Sequence, residues 1–496
     1  MAIQLPSNTD IPRTAFFSLP VRDFMRTNKW VIAKSGARCI EIIRQMTSKR
    51  TSCALIEDDI GRPIGILTEQ DVTRRITYRA PPDTPVETVM TEPVVTVQHQ
   101  QLLYHAIATL LRYDLQQLPV VNNQGRLVGI LYRQDVLTAA SHGLMHQIEQ
   151  LSHEGTVEGL KEVKAAQIEL AQALFADNVP APEIQQLLTR INNDIYRRII
   201  EMVLRLMTTE GWGDPPVTAA AIVMGSSGRG ENFLFPDQDN GFIIADYPDS
   251  EHTRIDTFYI ELAERLCRIL NDVGFPYCNG HCMAMNPLWR KTLRQWIEQI
   301  SRWGQKSNFI AIRLSDIFFD FQPVWGNNKL AVELREAVSQ LTRKNPFFLK
   351  QMFLEKTKHN VALGFLGGFI TEKADRDHRG QIDLKYTGTI PLIGAIRLLA
   401  LREGIQKTST LERIYALREA GIFSANEYEN LSAAFSLLTE ILLKKQIVDF
   451  NASRRINYYV DLKTLSKRQR WLLLDAFRSI NTLRNQIHYE FTAQLF

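Results

Sequence analysis

An eight-residue string occurs twice near the start of this chain: GILTEQDV at 65–72 returns as GILYRQDV at 129–136, with six of eight positions identical at an offset of 64. The likeness extends upstream, since DDIGRPI (58–64) matches NNQGRLV (122–128) and PVRDFM (20–25) faces PVETVM (85–90). A repeat this close requires two copies of one supersecondary unit rather than one continuous core. Each copy reads as an amphipathic helix (CIEIIRQMTSKR; LLYHAIATLLRYD), a strand (SCALIED; LPVVNN), a glycine turn, a second strand ending in GIL, and a helix opening at Asp71 or Asp135. Aspartate at a helix start is a good N-cap, so capping alone accounts for both residues.

The paired GIL-x-x-x-D strings resemble a tandem pair of CBS domains over roughly 15–140. The resemblance implies a regulatory module whose inter-repeat clefts bind adenosine nucleotides (AMP, ADP or ATP), with Thr68 and Asp71 of the first copy and Asp135 of the second as contacts. It also implies a homodimer formed through the pair, which is the role left if no nucleotide binds. The second copy carries Tyr132 where the family often has Thr or Ser, a departure at its ligand contact.

The 496 residues call for about three domains. Apolar residues at 45% and charged residues at 23% exclude wholesale disorder and a fibrous repeat. The balance of 58 basic against 54 acidic residues, +4, speaks against a dedicated nucleic-acid surface. No window approaches the ~18–20 apolar residues of a membrane helix. The opening MAIQLPSNTDIPRT lacks a basic start followed by an apolar run, so a soluble, cytoplasmic protein is expected. Cys39, Cys53, Cys267, Cys278 and Cys282 are an odd count without CxxC spacing, which suits a reducing compartment. Cys278-x3-Cys282 with His281 between them has a metal-like spacing, but zinc wants a fourth ligand and no second cluster supplies it.

From about 142 to 212 apolar residues recur at helical spacing, as in Ile184, Leu187, Leu188, Ile191, Ile195, Ile199 and Val203, and NVPAPE (178–183) divides the stretch into at least two helices. The segment 219–246, AAAIVMGSSGRGENFLFPDQDNGFIIAD, carries the chemistry. A short apolar β-like run ends at Gly225-Ser226, and Asp237 and Asp239 lead into a second such run. Carboxylates at i and i+2 of an extended chain point to one side and repel unless cations lie between them. That suits two Mg²⁺ (or Mn²⁺) ions. Gly225 lets the backbone approach a phosphate, Ser226 offers a hydroxyl, and Arg229 adds a planar fork for phosphate oxygens. Glu231 is read as support for this loop.

The string GSSGRGENFLFPDQDNGFII resembles the DNA polymerase β-like nucleotidyltransferases, and GSxGRxE followed by DQD is closest to the protein-PII uridylyltransferase and glutamine synthetase adenylyltransferase branch. The resemblance implies a third carboxylate on a later strand. LSDIFFDFQPVWGN (314–327) nominates Asp320, with Asp316 as the fallback on the same face of a continuing strand. Gln322 stands where relatives often carry Arg, which removes one cation from the triphosphate grip. Trp289 and Trp296 read as core, and Arg290 as a secondary phosphate candidate.

Beyond about 343 the chain is again helical, interrupted by IDLKYTGTIPL (382–392); IDLK, GTIPL and the following alanine-containing helix resemble the substrate-binding helical domain of CBS-linked transferases. Lys385 and Arg397 are candidates to reach a nucleotide or an acidic acceptor, while Arg484 and His488 share a helix face without a motif to assign them. The expected fold is α+β and multidomain: a tandem CBS (βαββα) pair over 1–142, a helical connector over 143–212, a polymerase β-like mixed sheet over 213–342 and a helical bundle over 343–496. The expected function is Mg²⁺-dependent transfer of an NMP from an NTP to a hydroxyl, with Asp237, Asp239 and Asp320 as catalytic metal ligands and Gly225, Ser226 and Arg229 as nucleotide contacts. By resemblance the acceptor is a protein. A nucleotide-sensing signalling protein that transfers nothing is the alternative, and an RNA-end-adding polymerase would want a basic, aromatic-lined channel that the charge balance does not supply.

Overall fold

The computed structural model describes residues 20–136 and 156–493, apart from 28–29, 50, 73–80, 82, 102, 114, 134, 177, 307–308, 357–359 and 365–366. The chain divides into two compact units, 1–151 with 173–179, and 152–172 with 180–496. The fold is mixed α and β, as expected.

In the first unit the repeat is visible as two equivalent sheets. Strand β1 (Val31–Lys34), helix α1 (Cys39–Lys49), β2 (Cys53–Glu57) and β3 (Pro63–Thr68) form the first. β4 (Val97–Gln98), α2 (Leu103–Arg112), β5 (Gln117–Val121) and β6 (Leu127–Tyr132) form the second. In each, the first strand is parallel to the second, and the second is antiparallel to the third. Equivalent register irregularities fall at Ile56/Glu57 and Val120/Val121. The repeated PV…M segments explain the repeated glycines. Met90 packs where a Cβ on Gly65 would lie 2.0 Å from its sulfur, and Met25 packs where a Cβ on Gly129 would lie 2.7 Å from its sulfur. The residues that follow then pair: Thr91 exchanges backbone bonds with Ile66 (3.1 and 2.9 Å), and Arg26 does so with Ile130 (2.8 and 3.0 Å). Thus each copy's opening segment docks on the other copy's closing strand. Most of the helix expected after Asp71, and the segment after Val136, lie outside the described residues.

The second unit contains α3 (Val157–Ala176) over its residues up to 172, then α4 (Ala181–Thr209), β7 (Ala219–Val223), α5 (Gly225–Arg229), β8 (Asn240–Ile244), α6 (His252–Val273), β9 (Arg290–Thr292), α7 (Leu293–Lys306), α8 (Phe309–Phe318) and β10 (Gln322–Gly326). It continues with α9 (Asn328–Lys344), α10 (Pro346–Lys356), β11 (Gln381–Asp383), α11 (Ile390–Arg402), α12 (Thr410–Glu419), α13 (Ala425–Asn451), β12 (Tyr459–Asp461) and α14 (Lys467–Ala493). Its main sheet has the order β10-β7-β8-β9, antiparallel except for the β8–β9 pair. β7 and β8 are buried throughout, which their apolar sequences AAAIV and NGFII require.

Two expectations change. The sequence reading makes 143–212 a helical connector; residues 143–155 of it lie outside the described set, and of the helices beyond them 157–172 and 181–209 cluster with the β10-β7-β8-β9 sheet. The sequence predicts a continuing strand through Asp316, whereas 309–318 is helical and β10 starts only at Gln322. The reason lies in the spacing of Ala311, Ile312, Ser315, Phe318 and Phe319, all buried: steps of three and four select a helix.

Trp289 and Trp296 are core, as read. Trp296 is fully buried, stacks on Phe318 at 4.5 Å between ring centres, and donates its indole N–H to the Phe242 carbonyl at 2.9 Å. Among the described residues no helix is long and apolar enough to cross a membrane. Truncating Trp296 to alanine leaves a large cavity and an orphaned carbonyl beneath β8, and is expected to lower unfolding free energy by ~3–5 kcal/mol in urea titrations.

Candidate active site

The glycine-serine turn is fixed by close approaches. Gly225 adopts φ 55°, and a Cβ there would meet Asp239 Oδ2 at 2.6 Å. A side chain would displace the carboxylate, so the turn needs glycine for both conformation and space. At Gly228 a Cβ would fall 1.8 Å from the Asp320 carbonyl oxygen. The Ser226 and Ser227 hydroxyls donate to Asn232 Oδ1 at 3.1 and 2.9 Å, while the Asn232 N–H donates to Thr189 Oγ1 on α4 at 2.9 Å. Ser226 therefore closes the turn on itself.

The Asp237 and Asp239 carboxylates lie close enough for the charge of one to act on the other. The intervening Gln238 is buried, its amide donating to the carbonyls of Cys267 (2.9 Å) and Phe275 (2.8 Å), and the strand begins only after Asp239, at Asn240. Asp237 is exposed; Asp239 is part-buried, and its Oδ1 is sealed from solvent without a hydrogen-bond partner. Burial, and then the Asp237 carboxylate, push the Asp239 pKa well above the carboxylate range. Lys385, nominated from IDLK, supplies the cation whose charge acts on both carboxylates. Although burial works to lower it, Tyr458 and Asp237 hold the Lys385 ammonium above its ordinary pKa, and it lies 4.2 Å from the Tyr458 ring centre.

Asp320 does not present itself as the third metal carboxylate. It is fully buried just ahead of β10, and guanidiniums occupy both its oxygens. Arg229 Nη1 and Arg397 Nη2 reach Oδ2 at 2.8 and 2.6 Å, and Arg397 Nε and Arg413 Nη1 reach Oδ1 at 3.1 and 2.8 Å. Burial alone would raise its pKa, but Arg397, Arg413 and Arg229 overcome that and hold it well below the carboxylate range. The fallback Asp316 also pairs with Arg397. Arg229 is engaged a second time by Glu231 at 2.6 Å, and the other Glu231 oxygen accepts the Thr410 N–H at 2.6 Å. Hence the Arg229 fork, expected on phosphate, is closed on carboxylates. Gln322, where an arginine was missed, donates to Thr408 Oγ1 at 3.0 Å. Arg290, the secondary phosphate candidate, is buried and donates to the Ala284 carbonyl at 2.9 Å.

The loop between turn and acids is anchored by a lysine that the sequence did not single out. Lys164, buried on α3, donates to Gln167 Oε1 (3.0 Å), Asn192 Oδ1 (3.1 Å) and the Leu234 carbonyl (3.0 Å). Burial lowers its pKa to about 7.

In the first unit, Thr68 and Asp71 form a reciprocal capping box, the Thr68 N–H and hydroxyl donating to Asp71 Oδ2 at 3.0 and 2.7 Å. Both line a cleft of about 550 Å³ that also takes in Tyr113 and Gln117 of the second copy. Asp135, its repeat equivalent, forms a two-point ion pair with Arg26 at 2.6 and 2.8 Å, and that guanidinium sits over the Tyr132 ring. The two copies therefore differ at the aspartate expected to contact a nucleotide.

Comparison with known families follows this division. Residues 165–309 match the family described as "Putative nucleotidyltransferase DUF294", 346–491 match "Putative nucleotidyltransferase substrate binding domain", and 21–78 and 86–142 each match the CBS domain. These matches follow the architecture read from the sequence, a CBS pair ahead of a nucleotidyltransferase-like region and a substrate-binding region. Asp320 falls between the two transferase-related regions. Among curated relatives, an uncharacterized protein of Methanopyrus kandleri is 28% identical over 100 residues, 20% of this chain and 51% of that protein. An uncharacterized protein of Methanocaldococcus jannaschii is 30% identical over 118 residues, 24% of this chain and 41% of that one. The chain thus spans about half the length, or less, of these two relatives. A solved CBS domain protein from Pyrobaculum aerophilum complexed with AMP is 24% identical, covering 24% of this chain and 89% of that one, with a TM-score of 0.22.

Two consequences are measurable. Asp320→Asn leaves three buried guanidiniums short of a countercharge and is expected to cost ~3–5 kcal/mol in urea titrations. Lys164 is shifted down, so between pH about 7 and its ordinary value of 10.5 the unfolded chain holds a proton that the folded chain has shed. Stability is then expected to rise with pH across that window, and the denaturation midpoint of Lys164→Met should lose that part of the rise.

Proposed function

We propose that the second unit transfers a nucleoside monophosphate from an NTP to the hydroxyl of an acceptor, and that the CBS pair adjusts this activity by binding adenine nucleotides. The observation that supports it is the acid pair: Asp239 abuts the Gly225 turn with one oxygen lacking a partner, and burial and the nearby Asp237 charge disfavour its ionised form. A carboxylate pair of that kind is what a divalent cation relieves, so these two residues fit Mg²⁺ or Mn²⁺ and would hold it. Asp320 does not fit, because its oxygens are already saturated. When bound, the ion supplies charge neutralisation for the phosphates and the attacking oxygen.

The chain's own groups do the rest by positioning. Gly225 leaves room for the Asp239 carboxylate against the turn, and Lys385 brings a positive charge to bear on the same acids. The acceptor oxygen attacks the α-phosphorus, its proton passes to solvent, and the bond to the β-phosphate breaks to release pyrophosphate. A protein acceptor fits the resemblance to the protein-PII uridylyltransferase branch. In the CBS pair, Thr68 and Asp71 line an open cleft of nucleotide size, and a dimer through the pair belongs to the same reading.

Incubation with labelled NTPs, Mg²⁺ and a cell extract is expected to label an acceptor, with Asp239→Asn reducing transfer ~100-fold or more. Undiminished transfer in that variant would remove the role given to the acid pair; nucleotide binding with no transfer by the unaltered chain would favour the sensing alternative. Calorimetry separates the two CBS positions: Asp71→Ala should weaken AMP binding at least ~10-fold, whereas Asp135→Ala should leave it unchanged, because Asp135 is committed to Arg26.

A further inference from the structure

Cys278 and Cys282 lie beside Asp239. Their two sulfurs and a carboxylate oxygen of Asp239 are all within 4.8 Å of one another, and the cysteines are 7% and 1% exposed. This juxtaposition is invisible in the spacing, where Cys278-x3-Cys282 lacked partners and His281 was the nearest candidate. His281 is exposed, with φ 53°. The further donor comes instead from the DQD string some forty residues earlier.

The backbone holds the three donors in place before any ion arrives. The Gln238 N–H donates to the Pro276 carbonyl at 3.0 Å and the Asn240 N–H to the Cys282 carbonyl at 2.9 Å, so the residues on both sides of Asp239 are fastened to the cysteine loop. Within that loop the Gly280 N–H donates to Cys278 Sγ at 3.3 Å, and a Cβ on Gly280 would stand 3.5 Å from each sulfur. An amide aimed at a ligand sulfur is the kind of outer contact that orients metal ligands. All five cysteines are free and buried, so neither thiol is consumed by a disulfide. Two sulfurs and one carboxylate oxygen suit a soft or borderline divalent cation, whereas Mg²⁺ prefers an all-oxygen set.

We propose that Asp239, Cys278 and Cys282 form a site for a thiophilic divalent cation, Zn²⁺ foremost, with a fourth position open to water or to a substrate oxygen. Three protein ligands and an open position are the pattern of reactive rather than structural zinc. The site goes beyond the transfer reading and shares Asp239 with it, the two oxygens of that carboxylate allowing one on each ion, and its ligands can be read whether or not the chain transfers a nucleotide.

Titration of the reduced, full-length chain with Co²⁺ tests it. A thiolate-to-cobalt charge-transfer band and the visible bands of tetrahedral cobalt are expected to saturate near one equivalent, to be bleached by Zn²⁺, and to survive a large excess of Mg²⁺. Replacing both sulfurs, Cys278→Ser with Cys282→Ser, should abolish the charge-transfer band, and Asp239→Asn should weaken cobalt binding ~10-fold or more while the band remains. X-ray absorption at the zinc edge of the unaltered chain needs no variant and is expected to show two sulfurs at ~2.3 Å with lighter atoms completing the shell. A zinc shell of oxygen and nitrogen only, no thiolate band in the unaltered chain, or a band that persists in the doubly substituted one would overturn the site.

Discussion

A buried carboxylate held by three guanidiniums is stable only while all four groups stay together, since loss of any one leaves charge uncompensated in a low dielectric. In this chain those groups come from four places: Arg229 at the end of the glycine-serine turn, Asp320 at the entrance to β10, Arg397 on α11 and Arg413 on α12. The cluster therefore joins the sheet that carries the acid pair to the helices that follow it. Gly228 shows how closely the parts are drawn, its Cα lying against the Asp320 backbone with no room for a methyl group.

Charge is sorted by position around that anchor. The deep site concentrates guanidiniums on Asp320, and the shallower site leaves Asp237 and Asp239 with Lys385 as a countercharge. The first arrangement is saturated and structural; the second is short of positive charge. In the proposed function a divalent cation and a triphosphate bind at the second, because there, and not at the first, binding relieves a cost already present in the folded chain.

Features that depend on local spacing were legible in the sequence. The repeat announced two equivalent sheets, and the tryptophans at helical spacing proved to be packing. What failed depended on long-range partners. Asp320 looked like a free carboxylate because nothing near it in sequence reveals Arg397 and Arg413, 77 and 93 residues away. Asp316 lies on a helix because, although LSDIFFDF resembles a strand of the transferase family, its buried residues recur at steps of three and four. Lys164 and the helices around it seemed a mere connector, since their polar contacts lie with a loop seventy positions downstream. For Cys278 and Cys282 the missing signal was the fold itself, which brings the loop after α6 back to the start of β8.

The reciprocal docking of the two repeat copies bears on ancestry. Met25 sits over Gly129 and Met90 over Gly65, so neither copy covers its own glycine. Two separate half-length polypeptides would make the same pair of contacts with each other across a twofold axis. Duplication and fusion of the coding segment would then have required no new surface, and once fused, the halves were free to diverge as Asp71 and Asp135 have done.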